Sequence, residues 1–138
     1  MAKTLHLDIV TPEKPTTSAE VDEVTLPASE GEMGVLPGHM PYVTALRAGE
    51  LRYNKDGKTE LLAISGGFAE VSGDKVLVLA ETAEIAAEID VRRAEQKVHQ
   101  KSEAIKGATM SPAEIDRMRA DLVKDMVRMK VAAKGKKH

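Results

Sequence analysis

Between Lys75-Val76-Leu77-Val78-Leu79-Ala80 and Ile89-Asp90-Val91-Arg92-Arg93-Ala94 the apolar side chains change their period. Before this point the period is two, as half-buried strands require. Leu5, Leu7 and Ile9 alternate with His6 and Asp8, and further short runs cover Val21 to Leu26, Tyr42 to Leu46, Leu51 to Tyr53, Glu60 to Ile64 and Lys75 to Ala80. Asn54-Lys55-Asp56-Gly57 and Ser72-Gly73-Asp74 read as hairpin loops, because Asp and Gly tolerate the positive φ of such turns. Short strands with turns at this spacing predict a β-sandwich or barrel.

From Asp90 the period is helical. Asp90 is a good N-cap, Val91, Ala94, Val98 and Ile105 fall on one face, and Gly107 is a natural stop. Ser111-Pro112-Ala113-Glu114 then joins a capping box to a proline at the first helical position. Ile115, Met118, Leu122, Met126 and Met129 follow at coiled-coil-like spacing. The expected architecture is therefore α+β: an all-β domain over residues 1–87, then an antiparallel helical hairpin over 88–138. Two helices alone are marginal in water, so the hairpin must lean on the β-domain or on a partner. The methionine stripe fits either an ordinary core in a permanently docked hairpin or a surface that repacks.

Charge divides at the same place. Residues 1–87 carry a net −7 and residues 88–138 a net +5, which nearly cancel over the 138-residue chain. The balance argues against a dedicated nucleic-acid binder, and with 2% aromatics a base-stacking platform is not expected. The absence of cysteine excludes a disulfide scaffold, a thiolate zinc site and a cysteine nucleophile. No apolar run approaches the roughly 20 residues that span a bilayer, and no signal peptide is legible, so a soluble protein of a reducing compartment is expected.

The search for catalytic chemistry is negative. Gly31-Glu32-Met33-Gly34 and Pro37-Gly38-His39 lack a Walker lysine, and Ser65-Gly66-Gly67 follows Ala63 where a nucleophile elbow needs glycine. Its glycines fit close backbone packing in a sheet instead. His6, His39, His99 and His138 are scattered, so no metal is expected. Glu32 with His39 is the weak case for a small enzyme. Two segments stand out. The stretch from Ser29 to Pro41, with three glycines and two prolines, reads as a stiff loop exposing Met33, Val35, Leu36 and Met40 for docking. The alternative is a loop that folds those side chains inward. Ile89-Asp90-Val91-Arg92-Arg93-Ala94 reads either as an anion site at a helix start or as a simple cap with an Asp90–Arg93 pair.

The same segments carry a resemblance. Leu5-His6-Leu7-Asp8-Ile9-Val10, the run from Gly31 to Pro41, Ile64-Ser65-Gly66-Gly67-Phe68-Ala69-Glu70-Val71 and Val78-Leu79-Ala80-Glu81-Thr82-Ala83 resemble the epsilon subunit of bacterial F-type ATP synthase, in order and over essentially the whole chain. The resemblance implies a sandwich of about ten strands and a helical hairpin. It implies a non-catalytic rotor subunit, peripheral on the cytoplasmic face of the inner membrane, joining the gamma subunit to the ring of c subunits. Glu32 and His39 would meet the ring. The hairpin would swing from a folded-down state to an extended one that reaches the alpha and beta subunits and inhibits ATP hydrolysis. Arg117, Arg119, Lys124, Arg128 and Lys130 would form its inhibitory basic face, and neutralising Lys124, Arg128 and Lys130 would relieve inhibition.

No cofactor is required by the resemblance. Some family members bind ATP as a regulatory ligand in the folded-down state, through residues matching Glu84, Ile89, Asp90, Arg93, Ala94 and Arg128 here. Gln100 and Lys124 replace two arginines of that pattern, and losing guanidinium forks from a phosphate site predicts weak or absent binding. An ATP-sensing module is the competing reading.

Overall fold

The computed structural model describes residues 3–13, 17–107 and 110–135. Ten strands come first: β1 (Leu5–Val10), β2 (Thr17–Val21), β3 (Glu23–Ala28), β4 (Gly31–Val35), β5 (His39–Leu46), β6 (Gly49–Lys55), β7 (Lys58–Ile64), β8 (Gly67–Gly73), β9 (Lys75–Ala80) and β10 (Ala83–Ile85). A single 3-10 turn, Ala86–Glu88, leads to helices α1 (Val91–Gly107) and α2 (Pro112–Gly135), which pack along each other as a hairpin.

The strands form one hydrogen-bonded sheet in the order β10-β7-β6-β3-β5-β8-β9-β1-β2, with β4 on β3. A single pair, Ala28 with Leu46, joins β3 to β5, and there the sheet folds over into two layers. Leu5, Leu7 and Ile9 of β1, Val24 and Leu26 of β3, Leu62 and Ile64 of β7 and Val76 and Val78 of β9 fill the space between. Most ladders are antiparallel, but β1 runs parallel to β9. Asp56 (φ 51°) and Gly57 (φ 77°) make the two-residue turn between β6 and β7, whose two positive φ angles match strand twist. At Gly67 the backbone of β9 comes so close that a Cβ would run into the Leu79 carbonyl oxygen.

The expected stiff loop from Ser29 to Pro41 is mostly strand. Met33 faces Leu26 and Val35 faces Val24 across the β3–β4 ladder, so Val35 is fully buried rather than exposed, and Met33 packs against the core. Glycines and prolines masked a period-two pattern of five residues, Gly31–Val35. Two turns remain, Ser29–Glu30 and Leu36–Gly38, the second closed by the His39 N–H donating to the Leu36 carbonyl at 3.2 Å.

The caps form at both helix starts. The Arg93 N–H donates to Asp90 Oδ1 and the Glu114 N–H to Ser111 Oγ, each at 3.2 Å. The stripe on α2 is only half-buried, and Met126 is 47% exposed. What α2 turns to the sheet is a different row: Asp125, Val131 and Ala132 are its buried residues.

Candidate functional site

β7 has two covered faces. Leu62 and Ile64 point into the sandwich, while Leu61 and Ala63 point outward against Val131 and Ala132 of α2, with Ala86 and Ile89 closing the layer. This outer layer is thin, and small residues let α2 come close. A Cβ on Gly135 would sit 2.5 Å from the Ala86 Cβ.

Charged groups frame the apolar strip. Arg128 Nε lies 2.7 Å from Glu84 Oε1, off the line of its N–H, and Nη2 donates to Glu84 Oε2 at 3.1 Å. Burial pulls the Arg128 guanidinium down, but Glu84 and Asp125 outweigh it and leave its pKa above the ordinary arginine value. Asp125 also holds Lys101 of α1, Lys124 reaches Glu81 at 3.5 Å, and Lys134 reaches Glu50 of β6 at 3.1 Å. A cleft of about 320 Å³ opens beside these pairs, lined by Glu81, Glu84, Asp125, Lys97, Lys124 and Arg128 among others. Lys124 and Arg128 are already paired there, so a phosphate would compete with Glu81 and Glu84 for them.

Of the six residues matched to nucleotide binding, two line the cleft. Glu84 and Arg128 meet in the cleft. Ile89 and Ala94 are buried apolar packing, Asp90 caps α1, and the Arg93 side chain is exposed. Of the five residues of the expected basic face, Lys124 and Arg128 are paired with the β-domain. Arg117, Arg119 and Lys130 are exposed, and no ion pair engages them among the described residues. The histidines do not gather: no group of three or more potential metal ligands occurs among the described residues, and His138 lies outside them.

Glu32 and His39 lie on opposite sides of the Leu36–Gly38 turn. Glu32 is held by Arg52 of β6, Nη1 to Oε1 and Nη2 to Oε2 both at 3.2 Å, and this fork holds its carboxyl below the usual range. His39 pairs with Gly73 of β8, and its Nδ1 is 2.7 Å from the Met40 carbonyl. The turn is fixed to the neighbouring hairpin by the Gly38 N–H donating to Asp74 Oδ1 at 2.9 Å. Beside it Leu36 and Met40 are 58% and 78% exposed.

A further surface escaped the sequence reading. Ladder partners Ala45, Phe68, Leu79 and Val10 form an apolar row across the outer face of β5, β8, β9 and β1, with exposed Val43 beside it. The available signal was apolar residues, Phe68 and Leu79, at strand positions that alternate with buried ones.

The family model described as ATP synthase, Delta/Epsilon chain, beta-sandwich domain matches residues 4–86. The ATP synthase epsilon chain of Geotalea uraniireducens is 46% identical over 98% of both chains, and that of Nitratidesulfovibrio vulgaris 47% identical over 95% of this chain and 97% of its own. Among solved structures, a chain in the Euglena gracilis mitochondrial ATP synthase OSCP/F1/c-ring assembly superposes with a TM-score of 0.75 and 27% identity, covering 94% of this chain and 81% of its own. A chain of the Tetrahymena thermophila central stalk/c-ring shares the fold at 13% identity and a TM-score of 0.65, over 93% of this chain and 96% of its own.

Proposed function

The chain belongs to the ATP synthase epsilon-chain family, a non-catalytic subunit of the central stalk, and from that membership we propose a rotor link whose hairpin regulates hydrolysis. In this reading the β-domain joins gamma to the c ring and carries proton-driven rotation to the catalytic sites. The subunit works peripherally at the cytoplasmic face of the inner membrane; no described helix is long and apolar enough to cross one. The apolar row of Val10, Phe68 and Leu79 suits gamma, since a subunit turning with the rotor needs a desolvated, non-sliding contact. The turn bearing Leu36 and Met40, between Glu32 and His39, suits the polar loops of the ring, with His39 a contact and not a proton carrier.

The observation that carries the regulatory half is the thin seam under α2. Few apolar side chains and a handful of ion pairs hold the hairpin down, so a second resting place need differ by only a few kcal/mol. In the extended state the basic face of α2 meets acidic groups of the catalytic subunits. Arg117, Arg119 and Lys130 have no docked partner among the described residues, so neutralising all three tests the extended state without disturbing the docked one. Relief of inhibition of ATP hydrolysis in the reassembled complex is expected, and unchanged hydrolysis would count against the reading.

The cleft beside Arg128 is where ATP would act as a weak regulatory ligand. Its phosphates must compete with Glu81, Glu84 and Asp125 for Lys124 and Arg128. Calorimetry of the full chain should give a dissociation constant on the order of millimolar, about −4 kcal/mol. A micromolar value would instead favour a nucleotide sensor.

A further inference from the structure

The seam and the foot of the β-domain share one face. Residues two apart on a strand lie on the same side. Glu32 of β4 pairs across β3 at Pro27, Arg52 of β6 pairs at Thr25, and Glu50 lies two residues before Arg52. Glu50 and Arg52 in turn pair with Ala63 and Leu61, which α2 covers. A continuous line of charge crosses this face. Lys134, next to last in α2, sits 3.1 Å from Glu50 Oε1, Glu50 Oε2 accepts from Arg52 Nη1 at 2.9 Å, and Arg52 forks onto Glu32.

We propose that Arg52 is a cation shared between Glu50 and Glu32, whose position couples hairpin docking to the ring-facing carboxylate. With α2 docked, Lys134 lies across both oxygens of Glu50, 3.1 Å from Oε1 and donating to Oε2 at 3.5 Å, and Arg52 keeps a single bond to Oε2 and a two-pronged one on Glu32. When α2 lifts, Glu50 regains both oxygens and takes the guanidinium fork. Bidentate pairing is the stronger geometry. With α2 docked Glu50 is the more sheltered carboxylate, 14% exposed against 56% for Glu32. Glu32 is then released to a cationic group of its partner. By linkage the coupling runs both ways: a partner that claims Glu32 returns Arg52 to Glu50 and loosens Lys134. The hairpin and the foot therefore oppose each other across about four residues.

The identity of the partner rests on the ring-contact reading above, but the coupling is intramolecular and is tested on the full chain alone. Carbon-13 NMR titration of Glu32 is the readout. Lys134→Gln should lower the acid dissociation constant of Glu32 by about two- to fivefold, the range of an exposed pair. In an Arg52→Gln chain the same substitution should move Glu32 much less, by the direct effect of Lys134 alone. An equal shift in that background means that Lys134 acts directly through space, as Arg47 and Lys134 both do in part, and overturns the proposal, as does no shift in either. Spin labels on α2 and β7 give the reciprocal: Glu32→Gln should lower the docked fraction only while Arg52 is present, and an unaltered fraction also overturns it. Crosslinking of a Glu32→Cys chain to the ring in the assembled complex is separate. Its absence would remove the partner and leave the coupling standing.

Discussion

The two sides of β7 bury the same strand in different ways. On the inner side Leu62 and Ile64 join a cluster of sixteen buried aliphatic residues drawn from both layers of the sandwich. On the outer side Leu61 and Ala63 meet a cluster of six, three of them alanine, rimmed by ion pairs. Hydrophobic stabilisation scales with apolar area, so the inner side holds the fold and the outer side holds only a position. Ion pairs at the rim select that position, and the exposed one between Lys124 and Glu81 adds about 0–1 kcal/mol to its strength. A regulatory arm needs this inequality: the body must stay folded when the arm leaves.

The comparison breaks most visibly in the sandwich. Leu51→Ala, at a fully buried position, should cost about 2–5 kcal/mol of global stability in urea unfolding. A loss under about 1 kcal/mol would mean that the two layers collapse onto the cavity and that the inner side is no firmer than the seam.

Gly135→Ala probes the seam alone. The new methyl meets the Ala86 Cβ at 2.5 Å, and overpacking of this kind costs about 1–3 kcal/mol. Alanine is the better helix former by about 1 kcal/mol, so α2 itself does not suffer. Hydrogen exchange should show faster opening of β7 amides under the hairpin with the urea midpoint of the sandwich unchanged. If that midpoint falls in step, docking and folding are one event and the comparison fails.

The smallest effect tests the far edge, where no arm rests. His6 Nδ1 is 2.6 Å from Glu20 Oε1 across β1–β2, and Asp8 lies 3.3 Å from Nε2. The hydrogen bond to Glu20, helped by Asp8, raises the His6 pKa, and Glu20 is lowered in return. A raised imidazole contributes stability that is fully present below its ordinary value of 6.5 and lost as pH rises through the folded value. Amides of β2 should therefore exchange with slightly more protection at pH 6 than at pH 8, after correction for the intrinsic rate, and α2 amides should show no such difference. A pH effect of the same size on α2 would show that the two edges are not independent.

Much of the fold was legible because its signals are local. Alternation in Leu5–Ile9 and Lys75–Ala80, the Asp56-Gly57 turn, and the caps at Asp90 and Ser111 each depend on a few neighbouring residues. Leu61-Leu62-Ala63-Ile64 shows where such reading stops. A continuous apolar run says that both faces are covered, not by what. The candidate site was less legible still. The apolar stripe of α2 suggested a docking face, yet the sheet meets Val131, Ala132 and Gly135, a row too small to stand out in a hydrophobic pattern. Val35 was misplaced because glycine and proline suggest loop, whereas a neighbouring strand supplied the ladder that made it buried.

Sequence alone determined the kinds of element, their order and the opposite charge of the two halves, since propensity, capping and net charge are properties of short stretches. The tertiary structure decided which elements touch: the parallel pairing of β1 with β9, the fold of the sheet at Ala28 and Leu46, and the tie between Glu84 and Arg128, 44 residues apart. A side-chain pattern encodes which face is buried, but the partner of that face is chosen by the packing of the whole chain, where shape and charge must fit at once.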